Sequence, residues 1–305
     1  MIKISNTSKY LPVRTEDNDY FSKILKLDVS PEWIVNKTGI LTRHYAAFDQ
    51  LTSDLAYMAY ENMKEEDPST IELLIIATTT TDMAVPSVSG IVQKKIGCSC
   101  PCIEINSGCA GFVYAFDVAY HYIQTYKKIL VIGADTITRL IDYSDNVTPV
   151  FFGDGAGAVM LERSSKKTIL SRFISTRGNV ESISTQKNGK VEMNGRDIWN
   201  FVLEVFPDTV NKLLNDAGLT ISDVDWIVPH QANIKMIKAA VEKLNFPFEK
   251  TIINADKYGN TVAASIPMAL HDGISDGRIK EGDKIILIGY GAGLSWGGIL
   301  MEYQK

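Results

Sequence analysis

The chain of 305 residues carries a formal net charge of −5 and is 45% hydrophobic, enough apolar matter for two domains of ordinary size or one large one. That acidic balance leaves no basic surplus to neutralise a row of phosphates, which excludes nucleic acid as the main partner. No apolar run is long enough to span a bilayer, and the first residues read as a strand rather than a signal peptide, so a cytoplasmic protein with no membrane partner is expected. After that strand, Ser30 stands as N-cap and Pro31 at the first position of a helix that Gly39 closes. Residues 52–64 follow a helical pattern with Leu55, Met58 and Ala59 on one face, and residues 73–77 form a continuous apolar strand of the kind buried on both sides. Cys98, Cys100 and Cys102 alternate in a way that fits neither a zinc knuckle nor a disulfide framework. They read as a turn leading into a strand, and no metal site is expected.

Residues 103–116 organise the rest of the chain, because a short strand meets a long apolar helical pattern with Cys109 at the junction. Gly108 and Gly111 keep the backbone bare on either side, so a substrate can approach closely. The helix would aim free N–H groups and its positive dipole end at the sulfur, which lowers a thiol pKa and favours the thiolate. The plainer alternative is a buried structural cysteine ahead of a core helix. A strand at residues 128–133 and a glycine-rich run at 152–161 complete the first half.

The second half repeats this order at an offset of about 150 residues. Residues 226–228 answer the strand at 73–77. Residues 252–254, then Gly259, Asn260 and Thr261 and a small-residue helix at 262–270, answer the strand at 103–105, Cys109 and its helix. Residues 284–289 answer 128–133, and 297–302 answer the strand after Gly157. An α/β protein of two similar halves is expected, divided at 1–165 and 166–305, each with a mixed sheet covered by helices. Between the repeats, a buried strand ends in Pro229, His230, Gln231, Ala232 and Asn233 and opens a helix at residues 234–244. A lone histidine in such a place is more often structural, but Cys109, His230 and Asn260 all stand at strand ends, where catalytic groups of layered α/β folds collect.

The run from Cys109 to Phe112, the glycines of residues 152–157, His230 with Gln231 and Asn233, Gly259 with Asn260 and Thr261, residues 263–265 and 276–279, and Gly291, Ala292 and Gly293 with Trp296 come in one order. Together they resemble the β-ketoacyl-acyl-carrier-protein synthase III family of condensing enzymes over nearly the whole chain. The resemblance implies a thiolase-like fold layered αβαβα, in which the first half carries the nucleophile and the second the His and Asn. It implies that Cys109 takes an acyl group from a thioester, and that His230 and Asn260 stabilise the enolate left when a malonyl thioester loses carbon dioxide. The backbone N–H groups of Cys109 and Ala292 would form the oxyanion hole. The substrates would be acyl-CoA or acyl-carrier protein and malonyl-carrier protein, with no cofactor. Trp33, Lys37, Asn233 and Gly195 would bind the coenzyme A side, Lys235 and Lys238 would dock the carrier protein, and the enzyme would be a homodimer whose loop 82–86 reaches the neighbour's acyl pocket.

Departures from the family pattern touch the periphery. Lys37 and Asn146 stand where the family has arginines at the coenzyme A entrance, which weakens the expected grip on the nucleotide. Ala292 replaces a glycine and Val85 a phenylalanine. A degradative thiolase would need a second catalytic cysteine near the C-terminus, and none follows Cys109. Hydroxymethylglutaryl-CoA synthase would need a glutamate where residues 78–82 offer threonines and an aspartate. A specialised relative in secondary metabolism and an inactive partner subunit are the remaining alternatives, the second disfavoured by the complete triad.

Overall fold

The computed structural model describes residues 1–185 and 189–305. The chain enters through β1 (Ile2–Tyr10), then β2 (Arg14–Asp17), α1 (Pro31–Thr38) and β3 (Thr42–Tyr45), where β2 and β3 form a small antiparallel pair. Ser30 caps α1 by accepting the Trp33 N–H, and Gly39 ends the helix with a left-handed φ of 79°. α2 (Thr52–Glu61) stops three residues short of the expected boundary because Lys64 and Glu65 turn left-handed, at φ 46° and 61°. β4 (Leu73–Ala77), α3 (Val88–Ile96), β5 (Cys102–Ile105), α4 (Gly111–Tyr122), β6 (Lys128–Asp135) and β7 (Gly155–Arg163) complete a five-stranded sheet in the order β1-β7-β6-β4-β5. The last three of these strands pair in parallel, and β7 and β1 add antiparallel.

The chain then runs through β8 (Ile169–Asn179), a short β9–β10 hairpin (Ile183–Ser184 with Glu192–Met193), α5 (Gly195–Ala217), β11 (Trp226–Pro229), α6 (Ile234–Glu242), α7 (Ala255–Tyr258), α8 (Ser265–Ser275), β12 (Lys284–Gly291) and β13 (Gly293–Glu302). The second sheet has the order β11-β12-β13-β8. Two elements differ from expectation. Residues 252–254 are not a strand: Thr251 makes a single bridge to Ile227 and the chain then turns into α7. The helix expected over 262–270 is broken, with a 3₁₀ turn at Val262–Ala264 ahead of α8.

Hydrophobic burial explains how these pieces stack. α4 and α8 lie between the sheets: Phe112, Phe116, Ile266 and Leu270 share one core with Ile75 and Val131 of the first sheet and Leu287 and Ile299 of the second. α2 and α3 cover the outer face of the first sheet through Leu55, Ala59, Val88 and Val92. α5 and α6 cover the second through Phe206, Val210, Ile237 and Val241. The result is the five-layer αβαβα order of a thiolase-like fold. Among the described residues no helix is long and apolar enough to cross a membrane.

Candidate active site

Cys109 lies between β5 and α4, one residue before the helix N-cap Ala110. The loop joining β12 to β13 rests directly on it. A Cβ at Gly291 would lie 2.7 Å from the Cys109 Cβ, and one at Gly108, whose φ is 55°, would lie 2.9 Å from the Ala292 nitrogen. Only glycine permits both approaches. The contact brings the N–H groups of Cys109 and Ala292 to the Cys109 sulfur, which is where the oxygen of an acyl group bonded to that sulfur would find two donors. The thiol is nevertheless not a resting thiolate. Burial pushes its pKa up to about 12, the Asp135 carboxylate adds to the rise, and the two N–H groups offset only part of it. The expectation that the helix terminus lowers this pKa is therefore corrected: loss of water outweighs the dipole.

His230 ends β11, where its N–H donates to the Ile288 carbonyl at 2.8 Å. Its Nδ1 is 2.7 Å from Ser265 Oγ, which is itself 2.9 Å from the Val262 carbonyl. The Ser265 hydroxyl has one proton to place. Given to Val262, it lets Ser265 receive an Nδ1–H and leaves Nε2 bare; turned to Nδ1, it leaves Nε2–H as a donor. Full burial lowers the His230 pKa to about 3, so the ring is neutral at physiological pH.

Asn260 is fixed at both ends. Its backbone N–H donates to the Phe151 carbonyl at 2.8 Å and its carbonyl accepts from Gly153 N–H at 3.1 Å. Its side-chain Oδ1 accepts from Val262 N–H at 3.0 Å, which leaves the NH₂ group free to donate. Beneath this bridge lies Arg43, whose guanidinium is wholly buried, donates to the Val150 carbonyl and to Asn18 Oδ1, and faces the Phe21 ring at 4.7 Å. Burial takes its pKa down to about 10. Gly153 and Gly259 pack against the Arg43 stem, so this cation braces the segments that carry Asn260.

Cys109, His230 and Asn260 line one cavity of about 440 Å³ together with Gly195, Asn233, Phe152, Trp199 and Tyr290. A second cavity of about 190 Å³ also touches Cys109 and is lined by Ile137, Leu140, Val191 and Ala292 among others. The outer predicted residues fare differently. Trp33 is half-buried in a small core with Phe21 and Ile34, and Lys37 is exposed. Neither lines the cavity. Asn233 lines it but serves as the cap of α6, accepting from the Lys235 and Met236 N–H groups while its NH₂ donates to the Lys37 carbonyl. The exposed Asn146 accepts the Asp28 N–H through its Oδ1. Lys235 and Lys238 are exposed on α6, and Lys238 Nζ is 3.9 Å from Glu242. Ser265, Arg43 and Asp135 belong to the site without a local sequence signal, apart from the charged residue that closes the apolar run of β6 at Asp135.

The family description 3-oxoacyl-[acyl-carrier-protein] synthase III matches residues 103–178, and its C-terminal counterpart matches residues 214–303. The chain is 38% identical over 320 residues to a beta-ketoacyl-[acyl-carrier-protein] synthase III from Xanthomonas oryzae, covering 99% of this chain and 98% of that protein. It is 41% identical over 315 residues to the Wolbachia pipientis protein of the same name, covering 98% of each. A crystal structure of 3-oxoacyl-[acyl-carrier-protein] synthase III from Aquifex aeolicus superposes with a TM-score of 0.96 at 37% identity, covering 99% of this chain and 100% of that one. Full-length identity of this size, a shared fold and a cysteine seated beneath two backbone donors agree, and the chain belongs to the 3-oxoacyl-[acyl-carrier-protein] synthase III family of condensing acyltransferases.

Proposed function

We propose that this chain begins fatty-acid synthesis by condensing an acyl thioester with malonyl-acyl-carrier protein through an acyl-Cys109 intermediate, using no cofactor. In the first half-reaction the Cys109 sulfur attacks the thioester carbonyl, the donor's C–S bond breaks, and the thiol proton leaves with the released thiol. The acyl oxygen sits under the Cys109 and Ala292 N–H groups while it carries charge. In the second, the bond between the malonyl methylene and its carboxylate breaks, carbon dioxide departs, and the electron pair becomes an enolate on the thioester oxygen. The Asn260 NH₂ and His230 Nε2–H, with the Ser265 hydroxyl turned to Nδ1, receive that charge. A neutral imidazole suits this step, because an imidazolium would also hold the carboxylate that has to leave. The methylene carbon then attacks acyl-Cys109, the C–S bond to Cys109 breaks, and the sulfur regains a proton from solvent.

The observation that carries this reading is the meeting of Cys109, His230 and Asn260 in one cavity with two backbone N–H groups at the sulfur. Intact-protein mass spectrometry after mixing with a panel of acyl-CoA thioesters tests it. The parent should gain one acyl mass and Cys109→Ala none; acylation of the Cys109→Ala chain would remove the nucleophile. The carrier protein docks, on this reading, against α6, where Lys235 offers an exposed cation to an acidic partner. A second copy of the chain covers the loop 82–86.

A further inference from the structure

Val262 is a β-branched residue held in the left-handed region, φ 52°, two positions beyond Asn260. Such a residue leaves that region unless its surroundings hold it there, and strain of this kind gathers at functional sites. Both peptide groups of Val262 serve the site. Its N–H donates to Asn260 Oδ1 at 3.0 Å, which turns the amide's NH₂ outward. Its carbonyl is 2.9 Å from Ser265 Oγ, the partner of His230 Nδ1. One strained turn thus touches both groups on which the enolate would depend.

The turn is fastened from the other half of the molecule. Asp135, at the end of β6, is fully buried, and its Oδ2 accepts from the Ala263 N–H at 3.0 Å. Oδ1 accepts from the Thr79 N–H at 2.8 Å and from the hydroxyls of Thr79 at 2.8 Å, Thr80 at 2.9 Å and Thr78 at 3.2 Å. The threonines are held in turn: Thr80 Oγ1 accepts the Thr136 N–H at 2.9 Å and lies 3.0 Å from Thr52 Oγ1. A carboxylate with this many donors is anchored in one orientation. Resting on the reading of His230 and Asn260 given above, we propose that Asp135 is a positioning residue that pins the Val262–Ala263 turn in its left-handed form and so aims the Asn260 amide and, through Ser265, the His230 ring.

The proposal separates the two half-reactions. Asp135→Asn should lower the melting temperature, because its NH₂ meets donors that the carboxylate accepted, and acylate Cys109 no more slowly, since the charge beside the thiol is gone, yet condense with malonyl-carrier protein about 10²-fold more slowly because its donors are displaced. Adding Val262→Gly should restore most of that loss, because glycine takes a positive φ without strain. Thr80→Val, which removes one donor from the carboxylate and leaves it in place, should show a smaller loss of the same kind and the same rescue, and it serves if Asp135→Asn does not fold. Equal loss in acylation and condensation, unchanged condensation in the folded variants, or a folded double variant no better than its single parent would overturn the proposal. Asn260→Ala, measured alongside, keeps the two claims apart: parental condensation in that variant sinks the reading of the site, whereas loss there with none in Asp135→Asn sinks this inference alone.

Discussion

Burial decides the charge state of Cys109 and His230, and it does so in the direction of neutrality for both, with pKa values of about 12 and about 3. A thiol and an imidazole that rest uncharged cost less to enclose than an ion pair, and in the proposed chemistry the negative charge that develops on the substrate oxygens is met by N–H donors already in place. The histidine makes this visible in stability. Above its ordinary pKa of 6.5 neither folded nor unfolded chain protonates it; below 6.5 the unfolded chain takes a proton that the folded chain refuses until about pH 3. Its folded pKa is lowered, so it weakens folding as the pH falls through that window. His230→Asn removes the effect. Urea unfolding of variant and parent should therefore diverge in the variant's favour below pH 6.5, by about 1.4 kcal/mol per pH unit. A difference that stays constant across the window would mean that the folded ring titrates freely.

At the scale of elements, α6 is the proposed docking face for the carrier protein. Asn233 caps it, Met236, Ile237, Ala240 and Val241 bury one side, and Lys235 and Lys238 face solvent on the other. Glu242 lies 3.9 Å from Lys238, whereas among the described residues Lys235 has no ion-pair partner. Lys235→Glu should raise the Michaelis constant for malonyl-carrier protein, increasingly so at low salt, while acylation by a small acyl-CoA stays at the parental rate. An equal effect on both steps would place Lys235 outside any docking face. Elements of this kind were legible in the sequence where a local rule governs them: the Ser30 cap with Pro31 and Gly39, the apolar run of β4, and the strand-end positions of Cys109 and His230. The same rules contained the N-cap role of Asn233, since an asparagine ahead of an amphipathic run is a start signal. What escaped depends on partners far away in the chain. The Asp135 cage joins residues 56 and 128 positions apart, the Thr79 and Ala263 N–H groups. The left-handed turn at Val262 breaks the helix that small-residue composition favours, and residues 252–254 form no strand, the single bridge to β11 falling at Thr251. The direction of the thiol pKa is not legible locally, because depth of burial is not a property of the local sequence.

Across the whole molecule, the two sheets bring strand ends from both halves to one cavity, so neither half holds a complete site. Three apolar side chains of the first half are largely exposed. Val13, Phe48 and Val85 are 93%, 97% and 83% exposed. Val13 and the loop 47–50 border one groove, and that loop leads into α2, whose Ser53 N–H donates to Asp82 at the base of the loop carrying Val85. In the proposed homodimer a second copy would cover these side chains, and sedimentation at micromolar concentration should find a dimer; an active monomer would refute it. The proposed chemistry divides the labour between Cys109, which would carry the acyl group, and the His230 and Asn260 pair, which would serve only decarboxylation and condensation. Rapid-quench mass spectrometry of the parent, His230→Ala and Asn260→Ala with an acyl-CoA, followed by a chase of malonyl-carrier protein, tests that division most directly. All three chains should form acyl-Cys109 at similar rates, and only the parent should discharge it promptly into 3-oxoacyl-carrier protein, each variant lagging by roughly 10²- to 10³-fold. Prompt discharge by either variant, or product from the parent with no preceding adduct on Cys109, would contradict it.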